Sequence, residues 1–350
     1  MKIAVKSFII PALVIIFIMV IAVSIVKAEE GVAIFDWLGF EQPEINGFCE
    51  MLIGGRTQDD PHEKDMSVCE LRLQGEAFTY NDWLEIKYKG DAWLDGITEE
   101  VEYDTRELWI FSRPTNFIDL KIGRQILTWG TGNLVFLNDM FPKDWQSFFI
   151  GRDKEYLKAP SDALKICFCA EIVSVDIIYI PKFNPDRFIS GEYISYWSAG
   201  LNKIVGEDNI VDPYIPDEWF DNDEIAFRIY GSLKGFELAL YGYMGFWKTP
   251  EGQDESGNAI FPKLNTYGFS MQGPVGAGIA NVEFAYYYSY DDESGANPLV
   301  KNSQIRYLAG YSQELWKNAT GALQYYVEQM LDYDSYKENL RSSNKKDQFR

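Results

Sequence analysis

The sequence predicts an all-β fold, a transmembrane antiparallel up-and-down β-barrel, on three observations. Thirteen strand-like segments can be read between Glu44 and Met330, and the connectors between them alternate short and long, as tight turns at one rim and variable loops at the other would require. Within the segments, charged and apolar residues alternate with period two, which gives each strand one wet and one dry face. After residue 28 no stretch approaches the roughly 18 apolar residues that a membrane helix needs. A mature chain destined for a membrane must then cross it as strands, because lipid offers no partner to an unpaired backbone group.

Residues 1–28 read as a signal peptide. Lys2 and Lys6 precede an apolar run from Ser7 to Val26, and Val26-Lys27-Ala28 presents small residues at the cleavage-determining positions before Glu29. An uncleaved membrane anchor is the alternative. Residues 29–45 form an N-terminal periplasmic segment, and 46–350 the barrel.

The first expected strands are 46–57, 67–78, 83–93, 101–111 and 116–126. In the second, Leu71, Leu73 and Ala77 lie on one side and Glu70, Arg72, Gln74 and Glu76 on the other. In the fifth, Ile118, Leu120 and Ile122 oppose Asp119 and Lys121. Further strands are expected at 162–171, 173–180, 222–232, 235–244, 263–273, 277–288, 301–312 and 319–330. Ile225, Phe227 and Ile229 oppose Glu224, Arg228 and Tyr230, and Val282, Phe284 and Tyr286 oppose Asn281 and Glu283. In a barrel the apolar sides face lipid and the charged sides line the lumen. Ser112-Arg113-Pro114-Thr115, Ser232-Leu233-Lys234-Gly235 and Gly273-Pro274-Val275-Gly276 are read as tight periplasmic turns. The long outer loops are 58–66, 94–100, 127–161, 181–221, 245–262, 289–300 and 331–345. After the last, the run from Lys345 to Arg350 resembles the opening of a fourteenth strand. The expectation is a barrel of about 14–16 strands when complete, truncated here at the C-terminus.

Composition agrees. Tyr, Phe and Trp make up 16% of the chain, in keeping with aromatic girdles at both interfaces. Acidic residues outnumber basic ones by 53 to 32, which argues against a nucleic-acid partner and suits cation-rich surroundings or a cation-favouring lumen. Cys49 and Cys69 sit on consecutive strands and could pair in an oxidising compartment. Cys167 and Cys169 are two apart and poorly placed to bridge each other on a flat strand. With one histidine, His62, no metal site or cofactor is expected, and no Ser-His-acid constellation is available to make the chain an enzyme. Tyr286–Tyr288 and Tyr325-Tyr326 fit girdle anchoring better than a sugar-stacking stripe, since adjacent residues alternate faces. The acidic 181–221 connection lacks calcium-loop spacing.

The densest local signal is the connector 127–161. Gly130 and Gly132 permit tight backbone geometry after the fifth strand. The apolar residues that follow, among them Leu134, Val135, Phe136, Leu137, Met140 and Phe141, are too many for a loop loose in water. The inner wall is the surface available, so the loop is read as folded into the lumen as a constriction or plug. Arg124, Lys143, Asp144, Arg152 and Asp153 are then the candidate pore-lining or constriction charges, since fixed charges sort permeants by sign. A purely structural Arg152–Asp153 salt bridge pinning the loop is the competing reading.

The run Gly123-Arg124-Gln125, Leu127, Trp129-Gly130, followed by Asn138-Asp139 and Phe141-Pro142, resembles the porin-like outer-membrane barrels of Gram-negative proteobacteria. Within them it is most similar to an uncharacterised proteobacterial family near the alginate-export and phosphate-selective porin types. The specific motif covers about 123–153; the remaining likeness is architectural. The resemblance implies a channel in the outer membrane, embedded in its lipid, for passive or facilitated diffusion of small solutes or ions. The alternative is a structural or docking barrel with a plugged lumen and an envelope-protein partner. A homo-oligomer is compatible with either.

Overall fold

A computed structural model describes residues 37–132, 134–198, 201–339 and 347–349. The expected signal peptide and the start of the 29–45 segment lie outside them. The expected strands appear in order: β1 (Glu44–Gly55), β2 (Met66–Tyr80), β3 (Leu84–Asp95), β4 (Val101–Thr115), β5 (Ile118–Ile126), β6 (Pro160–Phe168) and β7 (Val173–Ile180). A short hairpin, β8 (Tyr196–Ser198) and β9 (Lys203–Val205), follows within the long 181–221 loop. The wall resumes with β10 (Glu224–Leu233) and β11 (Phe236–Phe246). After a second small hairpin, β12 (Gly252–Gln253) and β13 (Ala259–Ile260), come β14 (Lys263–Val275), β15 (Gly278–Ser289), β16 (Gln304–Trp316), β17 (Ala319–Met330) and β18 (Asp347–Phe349). Helix α1 (Trp145–Ile150) lies inside the 127–161 connector and α2 (Tyr333–Asn339) after β17.

One antiparallel sheet runs β1-β2-β3-β4-β5-β6-β7-β10-β11-β14-β15-β16-β17-β18, each strand beside its sequence neighbour in the wall. That is the up-and-down order the alternating connectors imply. The short β18 pairs with β17 where the fourteenth strand was expected to open.

The two faces separate cleanly across the register. Val175, Ile229, Leu240, Phe269, Phe284, Tyr307 and Val327 are successive partners on seven neighbouring strands. One residue along, the matching row is Asp176, Arg228, Tyr241, Gly268, Ala285, Arg306 and Glu328. The first row and its parallels are outward and apolar, with Met51, Leu108, Ile122, Leu240 and Leu323 each more than half exposed. The second row faces inward, where charged residues such as Glu70, Arg72, Asp91, Arg106 and Asp176 are buried. A water-facing wall of this composition would be an exposed apolar patch far larger than soluble monomers carry; against hydrocarbon it is the expected surface.

Three details depart from expectation. The tight turns are one to three residues later than read, closing at Leu233–Phe236, Val275–Gly278 and Thr115–Ile118; β4 runs through Thr115, with an irregularity between Ser112 and Thr115 that accommodates Pro114, which has no N–H for the ladder. Cys49 lies opposite Leu73 and Cys69 opposite Ile53, so these two do not pair. Cys167 and Cys169 are disulfide-bonded instead, their Cα atoms 5.7 Å apart. The flat-strand argument against that bridge fails because Cys169 lies past the end of β6, where the chain is already turning.

Candidate functional site

The 127–161 connector lies against the inward face of the wall. It contacts inward residues on β2, β3 and β4 at one side and on β11, β14, β15 and β16 at the other. Glu70 of β2 and Glu283 of β15, both held by this loop, are nine strand spacings apart in the sheet order. A flat sheet would separate them by about 43 Å at ~4.8 Å per strand. The wall curls around the loop.

Entry into the lumen is set by Gly130, whose φ of +78° is the left-handed conformation that glycine adopts without steric cost. The chain turns onto the inner wall, and the Glu283 carboxylate accepts hydrogen bonds from the Thr131 and Gly132 N–H groups and from the Thr131 hydroxyl. Asn138 Nδ2 donates to the same carboxylate at 2.8 Å. Asn138 rests directly on Gly268 of β14, where a Cβ would overlap the amide oxygen. Trp129, Leu137, Met140 and Phe141 then pack with Tyr241, Leu264, Tyr287 and Leu308 of the wall in the main apolar cluster. The Tyr287 hydroxyl donates to the Leu137 carbonyl.

The second half of the loop is held by charge. Asp144 caps α1 by accepting the Ser147 N–H and pairs with Arg187 of the 181–221 loop at 3.2 Å. Arg152 forks onto Glu70, Nη2 to Oε2 at 2.8 Å and Nε to Oε1 at 3.1 Å, and donates to Ser147 Oγ. The Arg72 and Arg106 guanidinium groups lie over the Tyr156 ring. Burial would raise Glu155, yet the Lys89 ammonium 3.0 Å away holds it below the usual carboxylate range. Asp186 goes the other way: burial pushes it up, although Lys143 N–H and Trp145 Nε1 both donate to it.

The five sequence-predicted charges are therefore not one ring. Lys143 is buried against Asp139 at 3.0 Å and touches the remaining cavity. Asp144 and Arg152 anchor the loop. Asp153 caps the turn Lys154–Leu157 through the Glu155 N–H, and the pinning partner of Arg152 is Glu70 rather than Asp153. Arg124 shares its register with the outward residue Leu108 and with Asp162, which it meets at 3.3 Å. It also reaches Asp104 at the loop-side end of the wall.

Beside the loop lies a cavity of about 850 Å³, between residues 134–145, the β11–β14 and β15–β16 connectors, and the inner faces of β15 to β17. Four cations line it, and each meets a carboxylate. Lys143 meets Asp139, Lys248 meets Glu224 at 2.6 Å, Lys301 meets Glu251 at 2.9 Å, and Arg306 meets Glu328 at 3.5 Å. The Arg306 guanidinium also stacks 3.9 Å from the Tyr287 ring centroid. Lys248, Lys301 and Arg306 were not singled out from sequence. Arg306 could have been, because it is inward on the period-two pattern; Lys248 and Lys301 sit in connectors, where no periodicity marks direction. Among the described residues no group of three or more His, Cys, Asp or Glu side chains is arranged to hold a metal ion.

No protein-family model and no curated protein matches the chain. Solved structures that it matches include outer-membrane proteins, all at TM-scores below 0.5. A loop L8 deletion mutant of OmpT, an outer membrane protein of Vibrio cholerae, is 12% identical with a TM-score of 0.45, the match covering 83% of this chain and 84% of that one. Pseudomonas aeruginosa OccD3 gives 10% identity and 0.46, covering 83% of this chain and 58% of that one. Salmonella typhi OmpF, in complex with daunomycin, gives 10% and 0.43, covering 83% and 79%. The architecture described here rests on the chain's own strand pairing.

Proposed function

We propose that this chain is an outer-membrane channel for passive or facilitated diffusion of small solutes in a Gram-negative bacterium, with its throat shaped by loop 127–161. The observation that carries the reading is the cavity beside that loop, lined by compensated charges inside a wall whose outer face is apolar. Cancelled charge in a narrow passage gives weak discrimination by sign, and polar linings keep the path wet. The outer connectors tilt the balance. Between Lys203 and the start of β10 the chain carries Glu207, Asp208, Asp212, Asp217, Glu218, Asp221 and Asp223 with no Lys or Arg among them, and such a field concentrates cations at the mouth. Of the five charges read from sequence, Lys143 belongs to the passage, whereas Asp144, Arg152 and Asp153 hold the loop that frames it. A catalytic role has no observation in its favour. A docking barrel with a plugged lumen has one, the dense packing of Leu137 and Phe141 on the wall.

The reversal potential of the full chain in a planar bilayer under a salt gradient separates these. The channel reading expects a modest cation preference that grows in Arg306→Gln, which leaves Glu328 without its guanidinium. A folded but silent barrel would favour the plug; conduction with unchanged selectivity in Arg306→Gln would take the passage elsewhere.

A further inference from the structure

The connector between β1 and β2 carries the chain's single histidine and a carboxyl group for which the channel reading has no use. His62 Nδ1 lies 3.3 Å from Asp208 Oδ1, a contact that becomes an ion pair when the imidazole is protonated. The His62 carbonyl accepts the Glu207 N–H at 3.1 Å. Beside them Glu63 Oε1 is buried against Gly206 without a hydrogen-bond partner. The groups facing Glu63 are Arg56, Asp60, His62 and Lys64 from its own connector, with Glu207 and Asp208 from the 181–221 loop. Lys203 stands behind Asp208 at 3.4 Å.

We propose that the contact between residues 56–65 and residues 206–208 is a pH-operated latch, closed in mildly acid water and loosened in alkaline water. The closed contact places the Glu63 carboxyl where it is comfortable only when neutral. Burial, opposed by Arg56 and reinforced by Asp60, Glu207 and Asp208, pushes it up to about 7. Its neighbours behave oppositely. The Gly206 N–H holds Asp208 below its usual range, and the Ser195 hydroxyl does the same for Asp60. In mildly acid water Glu63 is therefore neutral while Asp208, 3.3 Å from the His62 imidazole, remains charged.

As pH rises from the ordinary carboxylate range through about 7, the closed state must give up a proton that it binds more tightly than the open state does. Closure is weakened over that window. The latch matters mechanically because the 181–221 loop also holds the throat loop, through Arg187 on Asp144, and meets β3 through Tyr193 on Asp95.

Amide hydrogen exchange of the full chain in lipid or detergent, at pH 6 and pH 8 with rates corrected for intrinsic base catalysis, reads the latch directly and independently of conduction. Peptides from 56–65 and 204–209 are expected to be up to about tenfold better protected at pH 6, and β14–β15 peptides unchanged. Glu63→Gln should keep most of that protection at pH 8, while Asp208→Asn should lose it at pH 6. Equal wild-type protection at both pH values would overturn the proposal, as would an undiminished pH dependence in Glu63→Gln. Should Glu63→Gln fail to fold, His62→Gln with Asp208→Asn decides the question: either must lower protection at pH 6.

Discussion

The two halves of loop 127–161 are held to the same inner wall by different physics. Residues 129–141 lie on β11 and β14 to β16 through apolar and aromatic contacts, with Leu137 and Phe141 almost fully buried. Glu283 gathers hydrogen bonds at their edge. Residues 144–156 lie against β2 to β4 through ion pairs and guanidinium–ring contacts, the Arg152–Glu70 fork at their centre. Apolar contact is tolerant of direction and sensitive to volume. A buried ion pair is the reverse: its net gain over a hydrophobic pair is small, but removing one partner strands the other charge. The ionic half therefore fixes where the loop sits, and the apolar half supplies most of the adhesion.

Substitutions can break this contrast in graded steps. Arg152→Ala is expected to cost about 3–5 kcal/mol, because it leaves Glu70 beside Asp95 and Asp91 with one guanidinium fewer. Urea titration of the folded barrel in lipid measures it, and a loss under ~1 kcal/mol would mean that water already reaches Glu70. Next comes Leu137→Ala at about 2–5 kcal/mol. Its cost should be recovered largely by Leu137→Met, which keeps the volume, whereas Arg152→Lys should recover little because the fork is lost. Equal rescue at both sites would erase the distinction. Asp153→Ala removes one cap of a single turn and should cost about 1 kcal/mol, with the wall's melting unaffected.

Much of the wall was legible because period-two alternation reports direction wherever one face is dry. The charged row through Arg228 and the apolar row through Ile229 could be drawn before any register was known. The apolar residues of 127–161 needed a surface for a related reason, and Leu137 and Phe141 pack with Leu264, Tyr287 and Leu308 of the wall. The partners were not legible. Arg152 and Glu70 stand far apart in the chain, and nothing in either neighbourhood names the other. Arg124 was read as a lumen charge because it borders the loop; its register partners are Leu108 and Asp162, while its guanidinium also reaches the buried Asp104 that Arg187 holds, and neither contact could be read before the pairing of β4 and β5 was known. The disulfide between Cys167 and Cys169 depends on the strand ending at Phe168, and boundaries are where sequence patterns are weakest.

The measurement that bears most directly on the central claim is the single-channel conductance of the full chain compared with Arg152→Ala. If loop 127–161 frames the passage and Arg152 fixes its position, the wild type should give stable ohmic steps, and the variant larger or flickering ones at the same voltage. Identical step size and noise in the two would contradict the account, because the passage would then be indifferent to the anchor of the loop said to shape it.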